Sequence, residues 1–266
     1  MAEKEKLLLL LEKDIPFRYY CHYCLKLHRW HGRWSRSITP WYKESLPCKG
    51  SIANHLFLSP TFHIPYYYAR LVMNRHFYGS KHGLPLDVLN KRAQFFSRLD
   101  GVVNSVSQHV HIFNDQLLVL SSMHLQGKSA LLRNCIDSYG DAVCKHLPLS
   151  QGFPGFSPMQ LPELAKKGNA PGQFLACGPA FRSCTFCPTD YTINIAWKGE
   201  KKECNIKVLV YRGLGDCRTP SDWHWRTMST LYPDEELSSA YSLYHQPGSV
   251  RDQWTTAGGI TKGMTS

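Results

Sequence analysis

Apolar and polar positions along this chain change period several times, and each change marks an element. From Pro65 to Tyr78 apolar side chains fall on nearly every side, Pro65 suits the first turn of a helix, and Gly79 suits a C-terminal stop. A buried helix is expected there. Pro85 opens a second, amphipathic helical pattern in which Leu86, Leu89, Ala93 and Phe96 recur at spacings of three and four, with Asp87 in the first turn and Gly101 beyond the end. From 102 the Val-rich stretch to Phe113, the Asn114-Asp115 pair and the run Leu117 to Leu125 predict two strands around a turn. A short helix over Ser129 to Tyr139, closed by Gly140, follows.

Residues 147–180 collect much of the Pro and Gly and form the best internal connector. Beyond it Tyr191, Ile193, Ile195 and Trp197 alternate with Thr192, Asn194 and Ala196, and Ile206, Val208 and Val210 alternate with Lys207, Leu209 and Tyr211. The polar segment Lys198 to Glu203 lies between them, so an antiparallel hairpin is expected. The first 50 residues signal little regular structure, and 250–266, rich in Gly and Thr, read as a flexible tail. The sum is an α+β fold: a few helices with antiparallel β-hairpins, one domain over 1–249, and an irregular N-terminal region that needs another source of stability.

Composition adds two exclusions. A chain of 266 residues with 43% hydrophobic positions is neither low-complexity nor collagenous. Its longest purely apolar run, the five residues Leu7 to Leu11, falls short of the roughly 20 of a membrane span and the roughly 7 to 15 of a secretory core. No membrane contact is expected, and the location expected is cytoplasmic or nuclear. Charge is uneven: residues 1–100 hold 16 basic and 7 acidic residues (+9), and the remainder 15 and 13 (+2). An acidic partner would read the N-terminal part.

Ten cysteines without a signal peptide point to a reducing compartment, where thiols bind metal, do chemistry or stay free. Two pairs have C-x-x-C spacing, Cys21 with Cys24 and Cys184 with Cys187. Such a turn sets two sulfurs one coordination edge apart and aims backbone N–H groups at them, so structural zinc sites use it often. Further ligands near the first pair are His28, His31 and Cys48, with Cys48 and His28 favoured. Near the second lie Cys177 and the Cys144-Lys145-His146 cluster, which spacing alone does not rank. One ion shared by both pairs is also compatible with the sequence, as are unmetallated core cysteines.

Redox chemistry would need a strand before the pair and a helix after it, which neither pair has. No H-E-x-x-H, P-loop, G-x-S-x-G or H-x-E with P-C-x-x-C is present. Lys26, Arg29, Arg33 and Arg36, interleaved with Trp30 and Trp34, fit single-stranded nucleic acid, with cations on phosphates and rings on bases. The reading favoured is that these rings cover a zinc site and the Arg and Lys stems pack over them. The basic residues and His around Gly79 and Gly83 read as a helix terminus, and His109 with His111 as a solvated strand face.

The runs Leu7 to Asp14, Tyr20-Cys21-His22-Tyr23-Cys24, Leu27-His28-Arg29-Trp30, Ala69-Arg70-Leu71-Val72-Met73-Asn74-Arg75-His76, His82-Gly83-Leu84-Pro85-Leu86 and Cys184-x-x-Cys187-Pro188-Thr189-Asp190-Tyr191 resemble the C-terminal region of a large group of filamentous-fungal F-box domain proteins, over about residues 5–226. The resemblance implies a module that presents a protein to a ubiquitin ligase. An F-box would precede Leu7 and residues 1–6 leave no room for one, so a ligase-adaptor contact is not expected of this chain. Leu161-Pro162-Glu163-Leu164 echoes an F-box opening but leads into no leucine-rich helix. The reading is therefore a non-catalytic, zinc-stabilised protein-interaction module. Its expected zinc ligands are Cys21, Cys24, His28, Cys48, Cys184 and Cys187. The alternatives are a nucleic-acid-binding protein using 18–43, or a metalloenzyme.

Overall fold

A computed structural model describes residues 3–30, 48, 55–59, 62–97, 101–139, 142–149, 161–164, 174–199, 203–229 and 245–258. In chain order the elements are α1 (Glu3–Asp14), β1 (Arg18–Cys21), β2 (Lys26–Arg29), β3 (His55–Ser59), β4 (Phe62–Pro65), α2 (Tyr66–Tyr78), β5 (Lys91–Ser97), β6 (Val102–Phe113), β7 (Gln116–Gly127) and α3 (Ser129–Tyr139). There follow β8 (Ala142–Cys144), β9 (Leu147–Pro148), β10 (Cys177–Ser183), β11 (Thr189–Lys198), β12 (Glu203–Gly213), α4 (Trp223–Met228) and α5 (Ser249–Thr256). Six strands form an antiparallel sheet in the order β10-β11-β12-β7-β6-β5, and β1-β2, β3-β4 and β8-β9 are separate hairpins. The fold is α+β.

The two long hairpins carry the sheet. Asn114 and Asp115 both take positive φ, 48° and 59°, in a two-residue turn whose twist matches that of the flanking strands. Alternation then sends side chains to opposite faces. Val119, Met123, Leu125, Ile193, Ile195, Ile206, Val208 and Val210 enter the main core, whereas Leu118, Leu120 and Tyr211 point the other way and meet Val250 and Trp254 of α5.

Four expectations are corrected. Residues 85–97 do not form one helix: a 3₁₀ turn spans Leu86–Leu89, and Lys91–Ser97 are strand β5, paired with β6. The spacing of Leu86 and Leu89 suits a turn, but β6 offers an open row of backbone groups, and pairing with it outweighs a weak helical period. Asn90 extends the contact, its Oδ1 accepting from Val110 N at 3.0 Å.

The connector 147–180 ends in an edge strand, β10, with an irregularity between Cys177 and Ala180 where Pro179 cannot donate to a ladder. The N-terminal 30 residues hold a helix and a hairpin rather than irregular chain. Ser249–Thr256, expected in a tail, is a helix that buries Val250 and Trp254. The rest of that expected tail, 259–266, lies outside the described residues. Among the described residues no helix is long and apolar enough to cross a membrane.

Candidate metal centres

The first C-x-x-C pair lies at the turn of the β1-β2 hairpin. Cys21 ends β1, Cys24 sits in the turn, and Leu25 N donates to Cys21 O at 3.0 Å. Leu25 takes φ +51°, a left-handed conformation that a leucine adopts only under constraint. Backbone N–H groups of Cys24 and Tyr23 donate to the Cys21 sulfur, opposing the burial that pushes this thiol up to about 12. Strand β2 brings His28 back over the turn, with its Nε2 2.8 Å from Cys24 Sγ. Cys48 completes a group whose four ligand atoms lie within 4.8 Å of one another. Burial and the cations of Lys26 and Arg18 hold His28 below its ordinary pKa, in the neutral form a metal needs.

The second pair heads another group, Cys144, His146, Cys184 and Cys187, again within 4.8 Å. Cys184 and Cys187 come from the turn between β10 and β11, where Cys184 N donates to Thr189 O at 2.8 Å and Thr189 N to Cys187 O at 2.7 Å. Cys144 and His146 come from the β8-β9 hairpin, so the group staples that hairpin to one end of the sheet. His146 Nδ1 is 3.7 Å from both Cys144 Sγ and Cys184 Sγ. A tetrahedral zinc centre with bonds of about 2.3 Å to sulfur has edges of about 3.5 to 3.8 Å. Phe186 N donates to Cys184 Sγ at 3.4 Å, and Thr189 Oγ1 lies 3.2 Å from Cys187 Sγ.

All four side chains of this second group are buried: Cys144 3%, His146 3%, Cys184 3% and Cys187 1% exposed. Without a cation such a group carries one anion at most. Thiols of Cys144 and Cys187 donate to the Cys184 sulfur and hold it far below its ordinary value, while burial pushes Cys144 and Cys187 up. A divalent ion removes that conflict by ionising all three. Both groups offer three sulfurs and one imidazole, and both could hold a metal ion. Comparison of the chain with protein-family models, curated proteins and solved structures finds no match in any of the three.

The six expected ligands thus divide between two separate groups, not one shared ion, and Cys144 with His146 supplies the half that spacing left unranked. Cys177 lies on β10 outside both groups, and His31 falls outside the described residues. Of the nucleic-acid candidates, Lys26 and Arg29 are exposed on β2, and Arg33, Trp34 and Arg36 fall outside the described residues. Trp30 is only 5% exposed and its ring lies 5.7 Å from that of Phe17, so it has no face left for a base. Of the expected solvated strand face, His109 is exposed, while His111 is half-buried and packs edge-on against Trp254, 4.6 Å between centroids.

Sequence reasoning passed over the buried polar cluster that holds the first centre in place. Glu12, Arg70 and Asn74 are each 0% exposed. Glu12 Oε1 accepts from Tyr20 N (2.8 Å), Arg70 Nε (2.9 Å) and Asn74 Nδ2 (2.9 Å), and its Oε2 from Arg70 Nη2 at 2.6 Å. Arg218 adds bonds to Asn74 Oδ1 (2.6 Å) and Tyr78 OH (2.9 Å). The cluster ties α1 and α2 to the strand residue that precedes Cys21. The signal was Arg70 and Asn74, spaced i,i+4 within the largely apolar stretch Tyr66 to Asn74 of α2. Asp190, just past the second pair, is equally buried: its two oxygens accept from Gly248, Val250 and Arg251 N at 3.0 to 3.1 Å and fasten the start of α5 to β11.

Proposed function

We propose that this chain is a non-catalytic, zinc-built protein-interaction module of the kind its resemblance to the C-terminal region of fungal F-box proteins implies. The observation that carries the reading is the pair of groups, each with three cysteines and one histidine, the second of them joining Cys144 and His146 to Cys184 and Cys187 from elements distant in sequence. Four protein ligands close a zinc ion's coordination and leave no position for water or substrate, which is the arrangement of structural sites. In that role the binding free energy of each ion becomes folding free energy, of order 10 kcal/mol in small zinc domains. The separate hairpins β1-β2 and β8-β9, which carry Cys21, Cys24, His28, Cys144 and His146, are too short to persist alone. The compartment proposed is the cytoplasm or nucleus, where thiols stay reduced, and the partner is a protein.

The test is metal removal with structure as the readout. Chelation of the purified chain should abolish the folded far-UV spectrum and near-UV packing signal together, and zinc should restore both. A fold that survives complete removal refutes the structural role. Nucleic-acid binding is tested by titrating mixed RNA and DNA at graded salt, where each phosphate contact contributes a log-log slope near −0.9. No such binding is expected; a steep salt-dependent affinity would replace the present reading.

A further inference from the structure

Three arginines in the core differ in what balances their charge. Arg70 has the Glu12 carboxylate at 2.6 Å. Arg133, 4% exposed, lies over the Phe174 ring at 4.3 Å and has Asp137, one helical turn on, as its attracting anion. Arg212 on β12 is 2% exposed, yet its bonds go to neutral acceptors: Nε (3.1 Å) and Nη2 to Val143 O, and Nη1 to Ser121 Oγ at 2.8 Å. The negative charges that act on it are those of the Cys144 and Cys187 sulfurs once these are ionised. Val143 immediately precedes Cys144, so the guanidinium holds the backbone that delivers this ligand.

Charge arithmetic then gives the pairing a meaning. Without a metal the group carries at most one thiolate, already held by the thiols of its own neighbours, and Cys144, the ligand next to Val143, brings no charge toward Arg212. A divalent ion with three thiolates and a neutral imidazole carries a net charge of −1, and Arg212 supplies the matching +1. We propose that Arg212 is the counter-charge of the second metal centre and positions its Cys144 ligand through the Val143 carbonyl. The proposal rests on the zinc reading. The first centre differs, since the cations near His28, Lys26 and Arg18, are exposed to solvent that screens them. It therefore serves as an internal control.

The experiment compares wild type with Arg212→Gln, which keeps donors without charge, and Arg212→Lys, which keeps charge. Zinc content is measured, and a chelator is applied while each cysteine's alkylation is followed by peptide mass spectrometry. In Arg212→Gln, Cys144, Cys184 and Cys187 should become reactive about 10 to 100 times sooner. Cys21, Cys24 and Cys48 should keep their wild-type rate, and Arg212→Lys should stay near wild type throughout. An insoluble Gln variant beside a folded, fully metallated Lys variant supports the same conclusion, because Lys keeps the positive charge that Gln loses. Wild-type behaviour of Arg212→Gln, or failure of both variants alike, overturns it. Wild-type protein without zinc at the second group overturns the zinc reading itself, before any variant is compared.

Discussion

Neutralising Glu12 should damage the fold more than any other single-atom change in the described polar network. In Glu12→Gln an amide NH₂ replaces one carboxylate oxygen. If it takes the place of Oε2, it faces Arg70 Nη2 at 2.6 Å and Arg218 Nη2 at 3.4 Å, donor against donor. Two guanidinium groups lose their shared anion in a place where Glu12 and Arg70 are 0% exposed. Breaking a buried pair by removing one charge costs about 3 to 5 kcal/mol. With a urea slope of about 3 kcal/mol/M, the midpoint should fall by roughly 1 M or more.

A control is Asp252→Asn, whose carboxylate is 70% exposed and whose partner Arg251 is 38% exposed, and there the loss should stay under about 1 kcal/mol. The pH dependence has a defined sign. Burial alone would raise the Glu12 carboxyl, but the Arg70 charge and the donated bonds override it and hold it below its ordinary value. Its contribution is therefore present above the unfolded value of about 4.3 and lost as pH falls through the folded one. The gap between wild type and Glu12→Gln should be level from pH 5 to 8 and close in acid. Because Tyr20 N bonds to Glu12, Cys21 should also be alkylated sooner in the variant, with Cys184 unchanged. A midpoint shift no larger than that of Asp252→Asn would refute the reasoning.

Other consequences are open to simpler assays. Leu25→Gly should leave stability within about 0.5 kcal/mol of wild type or raise it, because glycine takes φ +51° freely, whereas β-branched Leu25→Val should lose about 1 to 2 kcal/mol; equal urea midpoints for the two variants would remove the claim of local strain. Asp190→Asn should free α5 by weakening its backbone bonds, at a cost of about 2 to 4 kcal/mol, and limited trypsin digestion should then cut after Arg251 faster than in wild type. In wild type, the exchange protection of the Trp254 indole should hold above pH 4 and fall in stronger acid, since hydrogen bonds to Asp190 outweigh its burial and keep its carboxyl below the usual range.

Where one pattern and one set of neighbours agreed, the sequence was readable. The β6-β7 hairpin had its turn residues and its alternation, and β11-β12 had alternation on both sides of a polar segment, so sheet pairing only ratified local preference. Residues 91–97 misled because their apolar spacing is ambiguous and the deciding fact, an open edge on β6, is non-local. The leucine run of α1 has no 3.6-residue period, and its decisive residue is a charge, Glu12, whose partners lie 58 and 62 positions away. For the metal groups, the C-x-x-C turns were legible as local geometry. Cys144 and His146 stood out as a nearby cluster that spacing did not rank against Cys177, because they meet Cys184 only across 38 residues or more and through a hairpin with strands of three and two residues.

The central claim is that two groups of three cysteines and one histidine, the second of them fully buried, each hold a zinc ion that builds the fold. Elemental analysis of the purified, untagged chain, paired with counting of reactive thiols in native buffer, tests it most directly. The account predicts two zinc ions per chain, one for each group, with Cys21, Cys24, Cys48, Cys144, Cys184 and Cys187 protected until the metal is removed. A folded chain without metal, in which those same six cysteines react with or without chelator at the same rate, would contradict it.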